Sequence, residues 1–139
     1  MSSIFEYNLR VYYQDTDAGG IVYHANYLNF AERARTEALR AATLPHAQMQ
    51  AEHGVIFMVR RAEIEYLRPA RLDDVVTILT QGVACTGATA TLRQDFSAQG
   101  ALLATARIVL ACVRLSTGAP ARIPPPWRAL LTAGLASPR

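Results

Sequence analysis

The chain has 139 residues, of which 51% are hydrophobic and 18% charged, with a net charge of +3. That length fits one domain over residues 1–139 with a packed core, and the composition is that of a globular protein. All 14 basic residues are arginines, scattered with no basic-aromatic ladder, so nucleic acid is not the expected partner.

No apolar run approaches the roughly 18 residues that span a bilayer, so no stable membrane insertion is expected. The opening MSSIFEYNLR includes Glu6 and lacks a basic region followed by an apolar core, which argues against a secretory signal. Cys85 and Cys112 sit in strand-like runs. They read as small core residues in a reducing cytoplasm rather than a disulfide or a metal pair. No Cys/His spacing resembles a zinc site, and no metal or other cofactor is expected.

Residues 5–13, FEYNLRVYY, are rich in aromatic and β-branched side chains and predict a strand. Residues 15–20 form a loop whose Gly19-Gly20 pair opens backbone conformations closed to other residues. A helix is predicted over residues 25–42. Tyr27, Ala31, Ala34, Ala38 and Ala41 recur at helical spacing, and Leu28 and Leu39 widen the stripe. Small residues on that stripe suit close approach to a sheet. Arg33 and Glu37 are spaced to pair on its outer surface. Pro45 ends the segment, and residues 46–53 suit a short extra helical turn with His46 and His53 solvated.

Four strand-like runs follow, at 55–67, 75–85, 88–98 and 102–115. In the third, Ala90, Leu92 and Phe96 alternate with Thr91, Arg93 and Asp95. In the fourth, Ala104, Ala106, Ile108, Leu110 and Cys112 alternate with Thr105, Arg107 and Val109. Thr86-Gly87 and Gln99-Gly100 are short enough for hairpins, so these strands are antiparallel neighbours. WRALL, after the prolines at 124–126, suits a last short helix. Strand, long helix and four antiparallel strands make an α+β order. One sheet face and one edge strand are left uncovered, which favours oligomerisation.

The stretch from 11 to 37 organises this layout. Its acidic residues, Asp15 and Asp17, come just before a helix start, where backbone N–H groups lack intrahelical partners. Two readings fit: a helix cap, or a catalytic carboxylate facing an electrophile that those donors polarise.

The residues Tyr12-Tyr13-Gln14-Asp15-Thr16-Asp17-Ala18-Gly19-Gly20-Ile21-Val22-Tyr23-His24-Ala25-Asn26-Tyr27, then Glu32-Arg33-Ala34-Arg35-Thr36-Glu37, carry a resemblance. A second block is Val59-Arg60-Arg61, Glu65-Tyr66 and Pro69-Ala70-Arg71-Leu72-Asp73-Asp74. Together they resemble the hot-dog fold acyl-CoA thioesterases of the 4-hydroxybenzoyl-CoA thioesterase superfamily, in particular the Tol–Pal-associated, YbgC-like branch. The resemblance runs through Arg122-Ile123-Pro124. It implies a five-stranded antiparallel sheet wrapped around one long helix, and hydrolysis of an acyl thioester to an acid and a free thiol.

It further implies that Asp17 acts as nucleophile or general base, and that the His24 backbone amide polarises the thioester carbonyl. The His24 ring is either a candidate acid or base or a group that only packs or binds solvent; Tyr23 and Tyr27 read as core or pocket wall, with Tyr23 the candidate substrate contact. Asp15 reads as a residue that shapes the loop. The family's sites lie between subunits, which implies a homodimer or homotetramer. Some relatives meet coenzyme A phosphates with basic residues on the turn after the third strand. Here that turn is the neutral Thr86-Gly87-Ala88-Thr89. Phosphate contacts then fall to Arg60, Arg61 or Arg68, or the carrier is an acidic acyl carrier protein. The rival from another class is a non-catalytic acyl-thioester or acyl-carrier-protein binding module of envelope or phospholipid assembly. A hot-dog dehydratase is a weaker rival.

Overall fold

The computed structural model describes residues 4–136; Met1 to Ser3 of the opening segment and Arg139 lie outside the described residues. The elements are β1 (Phe5–Arg10), α1 (Asn26–Ala41), α2 (His46–His53), β2 (Val55–Tyr66), β3 (Val75–Thr86), β4 (Thr89–Ala98), β5 (Ala101–Arg114) and α3 (Pro125–Ala136). The strands form one sheet in the order β1-β3-β4-β5-β2, antiparallel throughout. This is the α+β arrangement expected, with α1 lying on one face. Among the described residues no helix is long and apolar enough to cross a membrane.

The first strand is shorter than its composition suggests. It stops at Arg10, and the chain turns through a single 3-10 turn at Tyr13–Asp15. The Asp15 carboxylate accepts the Tyr12 N–H at 2.8 Å and so stabilises the turn. At the other end, α1 stops where Thr43 takes a left-handed φ of 59°. The Leu44 N–H reaches back to the Leu39 carbonyl at 2.9 Å and the Thr43 N–H to that of Arg40 at 3.0 Å. This is a Schellman close without glycine, and Pro45 prevents continuation.

The buried face of α1 is Tyr27, Phe30, Ala31, Ala34 and Leu39. The alanine stripe therefore holds only in part. Ala41 and Leu28 are exposed, and Phe30 supplies the bulk. On the facing sheet, the alternation read from β4 and β5 is observed: Ala90, Leu92, Phe96, Ala104, Ala106, Ile108, Leu110 and Cys112 are all buried. Gln94 shares that inner face and is fully buried. Its amide donates to the Ala31 carbonyl and the Thr80 hydroxyl, both at 3.0 Å, and accepts from the Arg35 guanidinium at 3.0 Å. A satisfied amide can remain in a core, and this one fixes α1 against β3 and β4. Glu37 pairs with Arg40 rather than with Arg33.

The hairpin between β4 and β5 turns on Gln99 and Gly100, both at positive φ, as a two-residue turn matching strand twist requires. β2 is the free edge beyond β5. Its register slips between Val59 and Arg61, which leaves Arg60 as a bulge residue. Met58 and Val59 beside it are 52% and 51% exposed. The last helix is longer than WRALL. Its Trp127 is fully buried, and the indole N–H donates to the Leu44 carbonyl at 2.9 Å.

α3 crosses β3 closely at Gly82, where a Cβ would lie 2.4 Å from the Leu131 carbonyl oxygen. That contact is backbone, so it cannot yield by a rotamer change. Gly82→Ala is expected to destabilise the protein by about 1–3 kcal/mol, as overpacking does, measured as a drop in thermal midpoint.

His46 is not the solvated residue expected. It is half-buried at the start of α2, and burial lowers its pKa from the ordinary 6.5; Arg35 and Arg40 push the same way and Glu32 opposes. The unfolded chain thus takes up a proton at a higher pH than the folded one. Stability from this group is complete above about pH 6.5, declines as pH falls below it, and levels off below the folded value. His46→Gln is expected to remove that part of the acid-side loss in denaturant titrations between pH 7 and 5.

Candidate active site

Residues 15–24 fold into a small hairpin that leads directly into α1. Thr16 bridges to Val22 in antiparallel fashion. The Asp17 N–H donates to the Ile21 carbonyl at 2.9 Å, and the Gly20 N–H closes the turn on the Asp17 carbonyl at 3.1 Å. Gly20 sits at φ 80°, a conformation that glycine adopts without a Cβ penalty. Outside the hairpin, Val22 N–H donates to the Ala70 carbonyl at 2.8 Å, and Ile21 bridges to Arg71. The segment after β2 thus supports the loop from behind.

Asp15 ties this loop to the helix. It is only 9% exposed. Its carbonyl accepts the Tyr23 N–H at 3.0 Å and the Asn26 side-chain amide at 2.9 Å. Asn26 is the first residue of α1. Asp15 is therefore the loop-shaping residue that the turn chemistry suggested. Asn26 makes the tie, a role the sequence reading missed. Its signal was an amide at the first helical position, downstream of a loop aspartate.

Asp17 is exposed at the tip. One carboxylate oxygen accepts the Gly19 N–H at 2.8 Å; the other has no partner among the described residues. The helix start into which the hairpin leads offers donors. Asn26, Tyr27 and Leu28 donate to the carbonyls of Tyr23, His24 and Ala25. The N–H groups of His24 and Ala25 make no hydrogen bond with the described residues. A carboxylate and unused helix-terminal donors, at the positive end of the helix dipole, are thus held in one rigid unit.

Aromatic rings surround this helix end. Tyr23 and His24 meet at 4.6 Å with their rings tilted by 52°, His24 meets Tyr66 edge-on at 6.3 Å, and Tyr66 meets Tyr27 edge-on at 5.2 Å. The Tyr66 hydroxyl donates to the His24 carbonyl at 2.9 Å, which fixes that peptide from β2. The Tyr27 hydroxyl accepts the Ala70 N–H at 3.2 Å, and burial raises its pKa. Burial raises that of Tyr66 as well. Tyr23 is exposed beside His24, whereas Tyr27 is buried in the core.

Arg60 and Arg61 are not brought to this cluster. Both are exposed halfway along β2, and Arg61 pairs with Glu63 at 3.2 Å. Arg68 lies just past β2, exposed, with its backbone N–H on the Leu103 carbonyl.

Sheet, central helix and polar hairpin together define a hot-dog thioesterase-like protein. Comparisons with known proteins agree. Residues 11–131 match the family model described as the thioesterase-like superfamily, and the chain belongs to that family. It is 43% identical over 113 residues to the acyl-CoA thioester hydrolase YbgC of Escherichia coli O6:H1, covering 81% of this chain and 84% of that protein. It is 40% identical over 120 residues to the acyl-CoA thioesterase YbgC of Haemophilus influenzae, covering 86% and 88%. The crystal structure of a probable thioesterase from Bartonella henselae superposes with a TM-score of 0.83 at 35% identity, covering 87% of this chain and 99% of that one.

Removing the Asp15 carboxylate leaves the Tyr12 N–H without its acceptor in a part-buried place. Asp15→Ala is expected to cost about 1–3 kcal/mol, read by denaturant unfolding. It is also expected to loosen the hairpin, read as faster amide exchange at Asp17 and Tyr23, whose N–H groups donate across it.

Proposed function

We propose that this protein is a cytoplasmic acyl-CoA thioester hydrolase that releases a carboxylic acid and free coenzyme A, with Asp17 and the His24 main-chain N–H as its working groups. One observation carries the reading: an exposed carboxylate with a free oxygen is fastened, through Asp15 and Asn26, to a helix start whose His24 N–H is unused. Names of the relatives, acyl-CoA thioester hydrolase and acyl-CoA thioesterase, point the same way.

The chemistry follows from charge. Attack on a thioester carbonyl puts negative charge on its oxygen. A fixed N–H donor there stabilises that charge by about 3 kcal/mol. The Asp17 carboxylate either attacks the carbonyl carbon or takes a proton from an attacking water. Attack expels the thiolate and leaves a mixed anhydride, which water then cleaves to the acid and regenerated carboxylate. Tyr66 holds the His24 peptide from its carbonyl side and so orients the site's backbone.

In this reading the whole chain is one domain. It works as a homodimer or homotetramer, as the free edge of β2 favours, and serves the Tol–Pal-associated branch of the family. Coenzyme A is the preferred carrier over acyl carrier protein. A second reading, a binding module without turnover, draws on the Asp17–Gly19 bond, because an aspartate that closes its own turn has a purely structural use.

A thiol-release assay over a panel of acyl-CoA and acyl-carrier-protein thioesters separates the two. Asp17→Ala is expected to lower kcat by about 10²–10⁴-fold while circular dichroism stays that of the parent. Tight acyl-CoA binding without turnover by the parent protein would establish the binding module instead.

A further inference from the structure

Tyr66 ends β2, 42 positions from His24 in sequence, and donates its hydroxyl to the His24 carbonyl at 2.9 Å. The same oxygen accepts the Tyr27 N–H at a longer 3.4 Å. The phenol therefore makes the shorter of these two bonds. Its ring is held in place for it. The Leu67 N–H fastens the strand end to the Leu103 carbonyl at 2.8 Å, and the ring lies edge-on to the buried Tyr27 at 5.2 Å. Burial raises the Tyr66 pKa from the ordinary 10.0, so at neutral pH the phenol keeps the proton that it donates.

A peptide unit joins the carbonyl of one residue to the N–H of the next. The His24 carbonyl that Tyr66 meets therefore shares its unit with the Ala25 N–H, not with the His24 N–H. The His24 N–H belongs to the unit of the Tyr23 carbonyl, which accepts the Asn26 N–H at 2.8 Å. Tyr23 to Asn26 is thus one turn, and its two central residues carry N–H groups with no partner among the described residues. Ala25 already has helical backbone angles, φ −69° and ψ −21°, and makes no side-chain cap bond that would compete. Successive N–H groups at a helix start open toward the same side. A hydrogen bond accepted by a carbonyl draws charge across its peptide unit and strengthens the N–H at the other end, by roughly 10–30% per bond.

We propose that the Ala25 main-chain N–H is a second donor to the thioester carbonyl oxygen, beside that of His24, and that Tyr66 is the positioning residue that aligns and polarises it. The proposal rests on the hydrolase reading above and deepens it. The contact from β2 secures the carbonyl that the first helical turn holds at its longer distance. Negative charge developing on the thioester oxygen is then shared by two fixed donors.

Two substitutions and their combination test this. Tyr66→Phe keeps the ring that meets His24 and Tyr27 and removes only the hydroxyl. It is expected to lower kcat on acyl-CoA about threefold to tenfold, with KM unchanged. Ala25→Pro removes the N–H at a φ that proline adopts, and is expected to lower kcat about 10²-fold. In the double variant the Tyr66→Phe loss is expected to vanish, because the donor it acts on is gone. Losses that multiply, or a Tyr66→Phe that raises KM alone, overturn the proposal. A second readout needs neither turnover nor a folded Ala25→Pro chain: the Ala25 amide proton resonance with a non-hydrolysable ketone analogue of acyl-CoA bound. It is expected to move downfield on binding in the parent protein and less far in Tyr66→Phe. A resonance that stays put, or moves equally in both, overturns the proposal even if the parent hydrolyses acyl-CoA. The expected shift without any turnover supports the donor assignment and removes the hydrolase reading instead.

Discussion

The constraint on which the structure depends is the fastening of the Asp15 carbonyl to the start of α1. One carbonyl takes two donors, the Tyr23 N–H and the Asn26 amide. The Asp15 carboxylate meanwhile closes the turn before it. An ordinary cap would satisfy the first free N–H groups of the helix with a side chain. Here the N-cap residue is Ala25, which makes no side-chain cap bond. The loop is held by its own backbone and by Asn26, so the helix-end donors at His24 and Ala25 have no partner among the described residues. The fold thus secures the helix start without consuming the groups that a reaction could use.

The rest of the molecule makes that small unit rigid. α1 is locked to the sheet by Gln94, whose amide bridges the Ala31 carbonyl and Thr80 while Arg35 covers its oxygen. The end of β2 reaches the helix start through Tyr66. Ala70 and Arg71 back the hairpin from the segment after that strand. Two sequence-distant elements therefore converge on the same few peptide groups. Positioning on helices and strands rather than on a free loop is what keeps such a site within catalytic tolerance.

Much of this was legible in the sequence. Period-2 alternation located β4 and β5, because one face of each lies on the helix and the other is open. Turn residues located the hairpins. Asp15 and Asp17 were singled out by their place before a helix. What periodicity could not separate was which apolar residues of α1 face the sheet. Phe30 is buried and Leu28 is 44% exposed, although both are large apolar residues in the first turns of the helix. Gln94 was passed over because a lone polar residue in an apolar alternation carries no sign of the carbonyl awaiting it across the core. The grouping of Arg114, Arg122, Arg128 and His53 was also invisible, because these residues come together only when α3 folds back against β3 and the turn at Gly87. Arg60 and Arg61, singled out as adjacent basic residues, are exposed at mid-strand in β2.

A crystal structure of the protein with a non-hydrolysable ketone analogue of an acyl-CoA tests the central claim most directly. The account predicts the analogue's carbonyl oxygen at about 2.7–3.1 Å from the His24 backbone nitrogen, with the free oxygen of Asp17 facing the carbonyl carbon or a water next to it. A carbonyl bound elsewhere, with the Asp17 carboxylate engaged only by its own loop, would contradict it.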